Sequence, residues 1–387
     1  MQKRGTVEVW SLTNPKWKCK IEEGPAGISD ARFSPDSAHV LITSEFQLRI
    51  TVWSLFDDSA NHAHIKSPKY SGKGLDFRIG GEYMALAERR ECKDFISIIF
   101  TPTWELVQHF PAHTKNLQDL KWSPDGRYIC AWDSSLDFSV CIYDMSGSLV
   151  KQYEAYKNAL AVKANGVSWS PSGQLLAVGC YDQKVYILNS LTWNPIGEYR
   201  HDINPSPQEY PTCCVFREIE YKATHESQNK TRYELEDLPT KINVLKPDYK
   251  KPNPKVGVGI VEWSANSQYM CTRNDNMPNT LWIWETGKLS LVSLLIQLNN
   301  IKCVAWHPTL PYLAICTGNN KIYTWYVHST SCVDIPGIPF KVQRLKWNKD
   351  GSVLLLMDEN TYCCCYVSGL EEIAQDVESE GEESYRE

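Results

Sequence analysis

The chain has 387 residues, 42% hydrophobic and 22% charged, which suits one large β domain or two average domains with sizeable cores. It shows no membrane-length apolar run and no charged-then-apolar leader, so neither a helical span nor a secretory signal is expected, and the cytoplasm is the expected compartment. The net charge of −6 resides in the last seventeen residues, where eight acidic groups face one Arg; the near-neutral remainder argues against a nucleic-acid-binding face.

The 14 Cys sit mostly singly in apolar strand-like settings such as Cys130, Cys180, Cys271, Cys303 and Cys316, which fits free thiols in a reducing compartment. Gly5 to Leu12 reads as a strand ending in Val-Trp-Ser-Leu, and "PKWKCKIEEG" (15–24) as a second. Seven repeat units follow, each an alternating strand that ends in an aromatic, a Ser-Pro-like turn, a second strand, a polar loop and a third strand. They span 28–55, 74–100, 117–145, 164–190, 258–286, 301–327 and 342–367. Their anchors Phe33, Phe77, Trp122, Trp169, Trp263, Trp306 and Trp347 are 44, 45, 47, 94, 43 and 41 residues apart. Apart from one double gap, that is the period of a four-stranded blade. A single blade cannot bury both faces of its sheet, and stacking between neighbours solves this. The predicted fold is all-β, a WD40-type β-propeller of about seven complete units, with the anchors in structural roles.

The fourth strand of each unit falls in the connectors, as in 104–110, 148–154 and 289–295. The seventh unit stops after its third strand, and 15–24 is expected to close it, as N-terminal strands of propellers commonly do. Gly5–Leu12 is then surplus, the third strand of a truncated upstream blade. The expected organisation is a remnant at 1–14, the propeller at 15–370 and an acidic disordered tail at 371–387. The double gap, 201–257, carries two strand-like runs, "CCVFREIEY" and "RYELEDLPTKINVL", and is expected to be an inserted hairpin or arm.

No phosphate loop or nucleophile elbow is present, so nucleophilic hydrolysis is unsupported. His62 with His64, His109 with His113, Cys213-Cys214 and Cys363-Cys364-Cys365 lack partners at ligand spacing, so no metal or other cofactor is expected. The loops between second and third strands line one rim of a propeller. Asp, Asn and Gly there satisfy hairpin geometry, but "AERRECKD" and "TRNDNMPN" carry charge beyond that need. Arg89, Arg90, Lys93, Asp94, Arg273, Asn274, Asp275 and Asn276 are therefore the candidate partner-binding rim. Lys246, Lys250, Lys251 and Lys255 form a basic loop, read either as a solvated segment or as a contact for an acidic partner such as a tubulin tail.

Several stretches carry a resemblance: "SEFQLRITVWSL" (44–55), "YMALAERRECKDFISI" (83–98), "LLAVGCYDQKVYILN" (175–189), "NPKVGVG" (253–259), "TRNDNMPNTLWIW" (272–284) and "LAICTGNNKIYTW" (313–325). The chain resembles the WD repeat-containing protein eight family of centrosomes and spindle poles, from about residue 4 to 367. The resemblance implies a non-enzymatic scaffold that helps anchor microtubule minus ends at the centrosome and spindle pole, with roles in spindle assembly and cilium formation. It also implies a coiled-coil microtubule-anchoring partner and, in some lineages, a minus-end-directed kinesin, with no nucleic acid, membrane or small-molecule substrate. Relatives carry repeat units ahead of the position of Gly5, so the chain is expected to be an N-terminally shortened form. A ubiquitin-ligase substrate receptor is the alternative, but its usual Trp-Asp-x-Arg strand end is replaced here by Trp-Ser-Leu, Trp-Glu-Thr and Tyr-Asp-Met. A propeller enzyme would need a convergent polar set at the channel, and the sequence offers none.

Overall fold

The structure, a computed structural model, describes residues 5–11, 13–24, 27–47, 49–56, 63–134, 139–153, 162–222, 229–248, 250, 255–327, 329–336 and 340–367. The expectations that involve His62, Lys251 and the acidic stretch 371–387 lie outside these residues. Two compact units divide the chain, 1–164 and 165–387.

The first unit opens with β1 (Thr6–Trp10) and β2 (Lys18–Glu22), a two-stranded antiparallel sheet. Three four-stranded sheets follow in simple up-and-down order. The first comprises β3 (Ile28–Phe33), β4 (His39–Ser44), β5 (Arg49–Ser54) and β6 (Ala63–Lys66), and the second β7 (Leu75–Phe77), β8 (Tyr83–Arg90), β9 (Lys93–Phe100) and β10 (Glu105–Pro111). The third comprises β11 (Asp119–Trp122), β12 (Tyr128–Trp132), β13 (Val140–Asp144) and β14 (Leu149–Tyr153).

The second unit holds a sheet of β15 (Val162–Trp169), β16 (Leu175–Cys180), β17 (Lys184–Asn189) and β18 (Pro195–Arg200). Next come the insert strands β19 (Cys214–Lys222) and β20 (Asn229–Glu236), then β21 (Val258–Trp263), β22 (Tyr269–Asn274), β23 (Thr280–Glu285) and β24 (Ser290–Ile296). The unit ends with β25 (Cys303–Trp306), β26 (Tyr312–Cys316), β27 (Lys321–Tyr326) and β28 (Ser329–Asp334), and a three-stranded sheet of β29 (Arg344–Trp347), β30 (Val353–Met357) and β31 (Tyr362–Tyr366).

Consecutive sheets within each unit stack face to face. Ala85, Ala87, Ile96 and Ile98 of β8 and β9 pack on Leu120, Trp122, Ile129 and Tyr143 of the next sheet. In the second unit Ala177, Val185 and Ile187 pack on Trp263, Met270 and Trp282 in the same way. Central strands are therefore covered on both faces, which is why β4, β12 and β16 read as near-continuous apolar runs, whereas the outer β10 and β14 are mostly exposed.

The Ser-Pro-like turn has a physical cause. Ser34, Ser123, Ser170 and Ser264 each accept, at 2.9–3.0 Å, the backbone N–H of the residue that opens the next strand, and Asn348 does the same at 3.0 Å. The side chain thereby closes the turn that the backbone alone leaves open.

One expectation is corrected here. Among the described residues Lys18–Glu22 pairs not with β31 but with β1, in the register Thr6↔Glu22 to Trp10↔Lys18. The boundary expected at residue 14 thus falls inside a hairpin whose Val9 and Ile21 pack against Val40 and Ile42. The short connection makes antiparallel pairing of β1 and β2 the cheapest closure, because loop entropy rises with the residues enclosed. The insert forms the expected hairpin of β19 and β20, and β19 also runs parallel to β24, from Cys214↔Ser293 to Arg217↔Ile296, which widens that sheet to six strands.

Candidate functional site

The β8–β9 hairpin places Arg89 opposite Asp94 and Arg90 opposite Lys93. Its two-residue turn, Glu91 and Cys92, has φ of 48° and 62°, the left-handed region that Asn-Gly normally occupies in such turns. Asp94 is not a rim residue. Its carboxylate is buried, lies 2.8 Å from the buried Lys69 Nζ, and accepts the Leu117 N–H at 2.7 Å. Burial pulls the Lys69 ammonium below its ordinary range while the Asp94 charge opposes that shift. Lys69 also donates to Asn116 Oδ1 at 2.8 Å, which fixes the base of the hairpin to the next sheet. Above that base the Arg89 and Arg90 side chains keep 42% and 49% of their surface exposed, and Lys93 is exposed. Arg89 lies 3.7 Å from Asp94 and Arg90 2.7 Å from Glu88, so their guanidinium groups are oriented yet accessible.

The second candidate loop is corrected. Asn274 and Asn276 are buried, and Arg273 and Asp275 are nearly so. Arg273 donates to Asp275 at 2.6 Å and to the Ile301 carbonyl; Asn276 Oδ1 accepts the Gly257 N–H at 3.2 Å and Asn274 donates to Gln183 at 3.1 Å. The excess charge thus closes the β22–β23 connection from within. The two loops belong to different units, and only the Arg89, Arg90, Lys93 tip presents charge outward. Lys246, Lys250 and Lys255 of the basic loop are exposed.

Among the anchors, Trp122, Trp169, Trp263 and Trp347 are buried and Phe77 and Trp306 partly so. Three of them share a contact: Trp263 Nε1 donates to the Ser168 carbonyl, Trp306 Nε1 to Glu262 and Trp347 Nε1 to Ala305, each at 3.1 Å. In every case the acceptor immediately precedes the anchor of the preceding unit, so the indoles stitch successive sheets together. Phe33 is the exception and a correction: it is 55% exposed.

His109 and His113 serve packing. His109 stacks on Phe95 and bonds Ser97 at 2.9 Å, and the backbone N–H of His113 donates to the Tyr143 hydroxyl oxygen at 2.6 Å. All fourteen Cys are free thiols, and among the described residues no group of three or more His, Cys, Asp or Glu is arranged to hold a metal ion.

Sequence reasoning missed a buried relay. His201 Nδ1 lies 2.7 Å from the Gln183 carbonyl, which can only accept, so Nδ1 carries the proton. Nε2 then accepts from the Thr272 hydroxyl at 2.8 Å, and that oxygen accepts the Trp284 indole N–H at 2.8 Å. Full burial lowers the His201 pKa to about 4 and keeps the ring neutral. The buried Glu218 of the insert was missed as well. It accepts the Tyr323 hydroxyl at 2.7 Å and the Leu298 N–H at 2.8 Å, which clamps β19 to the following sheet.

Comparison with known proteins matches this architecture. The WD domain, G-beta repeat model matches residues 104–144 and 147–198. A chain in the crystal structure of a mitotic checkpoint complex superposes with a TM-score of 0.53 at 13% identity, over 90% of this chain and 97% of that one, which shows the shared WD40 propeller-type fold. An uncharacterized WD repeat-containing protein of Schizosaccharomyces pombe is 23% identical over 93% of this chain and 76% of its own length. The WD repeat-containing protein WRAP73 of Mus musculus is 39% identical over 96% of this chain and 83% of its own. Identity at that level across nearly the whole sequence, on sheets that repeat one Trp-anchored turn, shows that the chain belongs to the WD-repeat family of WRAP73.

Proposed function

We propose that this protein is a non-enzymatic scaffold that helps anchor microtubule minus ends at the centrosome and spindle pole, with roles in spindle assembly and cilium formation. WD40 domains mediate protein–protein contacts, so protein partners are the coarse expectation; a coiled-coil microtubule-anchoring protein and a minus-end-directed kinesin are the specific ones. Kinship with the WRAP73 family supports the reading. The observation that carries it is the β8–β9 hairpin, where a buried Lys69–Asp94 pair holds a rigid base and Arg89, Arg90 and Lys93 project from it. Cationic side chains pre-oriented on a fixed hairpin recognise carboxylates on a partner at little entropic cost.

The test is the variant Arg89→Glu, Arg90→Glu, Lys93→Glu in the full chain, followed at spindle poles in dividing cells and by co-purification of partners. A folded variant, shown by unchanged thermal unfolding, should lose pole localisation and recover about tenfold less partner. Undiminished localisation and recovery would remove the rim from the reading.

A further inference from the structure

Two of the fourteen free thiols face one another across a strand pair in the second unit. Cys303 opens β25 and Cys316 closes β26, and the antiparallel register sets them directly opposite, ahead of Val304↔Ile315, Ala305↔Ala314 and Trp306↔Leu313. Among the described residues no other Cys has a Cys as its strand partner: Cys130 stands opposite Ile142, Cys271 opposite Ile283, Cys332 opposite Tyr323 and Cys363 opposite Leu356. Opposed residues of an antiparallel pair point to one face of the sheet with Cα atoms about 4.5–5.5 Å apart, inside the span of about 4.4–6.8 Å that a disulfide bridges. Cys363 and Cys365 of β31 also share a face, but two residues along an extended strand are about 6.8 Å apart, at the limit of that span.

Packing makes one thiol of the pair the accessible member. Both belong to the apolar cluster that joins their sheet to Leu345, Leu354 and Leu356 of the next. Cys316 is fully buried, whereas Cys303 is only partly so and follows the exposed Lys302. The pair also stands where the ladder ends, in the bond from the Lys302 N–H to the Cys316 carbonyl at 2.8 Å, so drawing the sulfurs together displaces little of the sheet beyond them.

The contact splits the two acidities. The hydrogen bond that Cys316 donates draws the Cys303 thiol below its ordinary range, and the Leu345 N–H adds to this, while burial and the Glu262 charge oppose it. The same contact, together with burial, pushes the Cys316 thiol up, although Lys302 works the other way. The thiolate is the form of cysteine that oxidants attack, and here a second thiol lies beside it.

We infer that Cys303 and Cys316 are a peroxide-responsive dithiol, in which Cys303 takes the oxidant and Cys316 resolves it to a disulfide that staples β25 to β26. The Cys303 thiolate attacks one oxygen of hydrogen peroxide, the O–O bond breaks, and the departing hydroxide takes up a proton to become water. Cys303 is then a sulfenic acid. The Cys316 sulfur attacks the Cys303 sulfur, the S–O bond breaks, and the hydroxyl leaves as water with the Cys316 proton. Two thiols lose two electrons in all, and one peroxide is reduced to two waters. A dithiol reductant restores both thiols by exchange. The bond would sit at the root of the β26–β27 loop, which starts directly after Cys316. This site is separate from the Arg89 tip, so either can fail without the other.

The test exposes the reduced full chain to hydrogen peroxide, blocks the remaining thiols with iodoacetamide, and maps linked peptides by mass spectrometry before and after dithiothreitol. The expected product is a linkage between Cys303 and Cys316, formed at about tenfold lower peroxide than oxidation of the exposed Cys92 and Cys364 and removed by dithiothreitol. Cys316→Ser keeps a hydroxyl that can donate to the thiolate but cannot resolve the sulfenic acid, so dimedone should label Cys303 in that variant. Cys303→Ser should leave Cys316 unlabelled. The wild-type map needs no substitution, so it decides the matter even if a buried Ser unfolds the second unit. The inference is overturned if Cys92 and Cys364 oxidise while Cys303 and Cys316 stay free, or if their linkage forms only in urea-unfolded chain. Dimedone labelling of Cys316 in folded Cys303→Ser would overturn the assigned roles.

Discussion

Replacing Thr272 by Val tests the buried relay. The substitution preserves shape but removes the hydroxyl that accepts from Trp284 Nε1 and donates to His201 Nε2, and both of those atoms lie where water does not reach. Each orphaned buried group costs about 1–3 kcal/mol, so Thr272→Val should lower the local stability of the second unit by about 2–4 kcal/mol. The same relay sets a pH dependence. With the His201 pKa near 4 when folded and about 6.5 when unfolded, the unfolded chain binds the extra proton between those values. The stabilisation is therefore fully present above about pH 6.5 and is lost as pH falls through about 4, a change of about 3 kcal/mol. Amide hydrogen exchange of β22 and β23, corrected for intrinsic rates, reads this locally without requiring the whole chain to unfold as one transition. His201→Gln should be less stable at neutral pH and should lack the slope. A Thr272→Val loss below about 0.5 kcal/mol, or a slope that survives His201→Gln, would refute the relay as an energetic unit.

Asp76 predicts the opposite slope in the first unit: burial raises its pKa to about 6, although its carboxylate accepts the Trp122 N–H at 2.7 Å. Here the folded state holds the proton longer, so stability is full below about pH 4 and declines as pH rises toward 6; Asp76→Asn should raise exchange protection of β11 at pH 7 by about 2 kcal/mol and change it little at pH 4. Asp94→Ala strands the Lys69 ammonium in the interior and should cost about 3–5 kcal/mol in denaturant unfolding, with much of that loss relieved when Lys69→Met is added. Cys92→Gly relaxes a left-handed φ of 62° and should raise the thermal midpoint by an amount equivalent to about 1 kcal/mol. Trp306→Phe removes the hydrogen bond to Glu262 and should cost about 1 kcal/mol or somewhat more, measured by the same unfolding assay.

What could be read in advance divides along a physical line. The anchors Trp263, Trp306 and Trp347 and the Ser turns were legible because each satisfies a local requirement that recurs from sheet to sheet: an indole that bridges to the preceding sheet, and a hydroxyl that closes a turn. The two strands of the insert were legible from their alternation. Their partner was not, since β19 meets β24 across 79 positions and nothing in the period-2 pattern names a non-local mate. His201 was invisible for a similar reason, because a lone His acquires its role from Gln183, Thr272 and Trp284, all distant in sequence.

The two charged loops show the limit most directly. "AERRECKD" and "TRNDNMPN" both sum to zero net charge, yet Arg273 spends its donors on Asp275 and Ile301 while Arg89 and Arg90 keep nearly half their surface in water. Composition cannot tell a charge that closes its own loop from one held out to a partner; the register can. In the β8–β9 hairpin the register sets Arg89 beside the buried Asp94 on one face and turns Arg90 and Lys93 to the other, where both stay exposed. The tight turn holds Glu91 and Cys92 at left-handed φ, a strained backbone for residues other than Gly that keeps the tip to two residues. Such a tip on a buried ion pair separates two effects: reversing Arg90 or Lys93 should alter binding with little change in stability, whereas removing Asp94 should alter both. Observing that split in one set of variants would locate function at the tip and structure at its base.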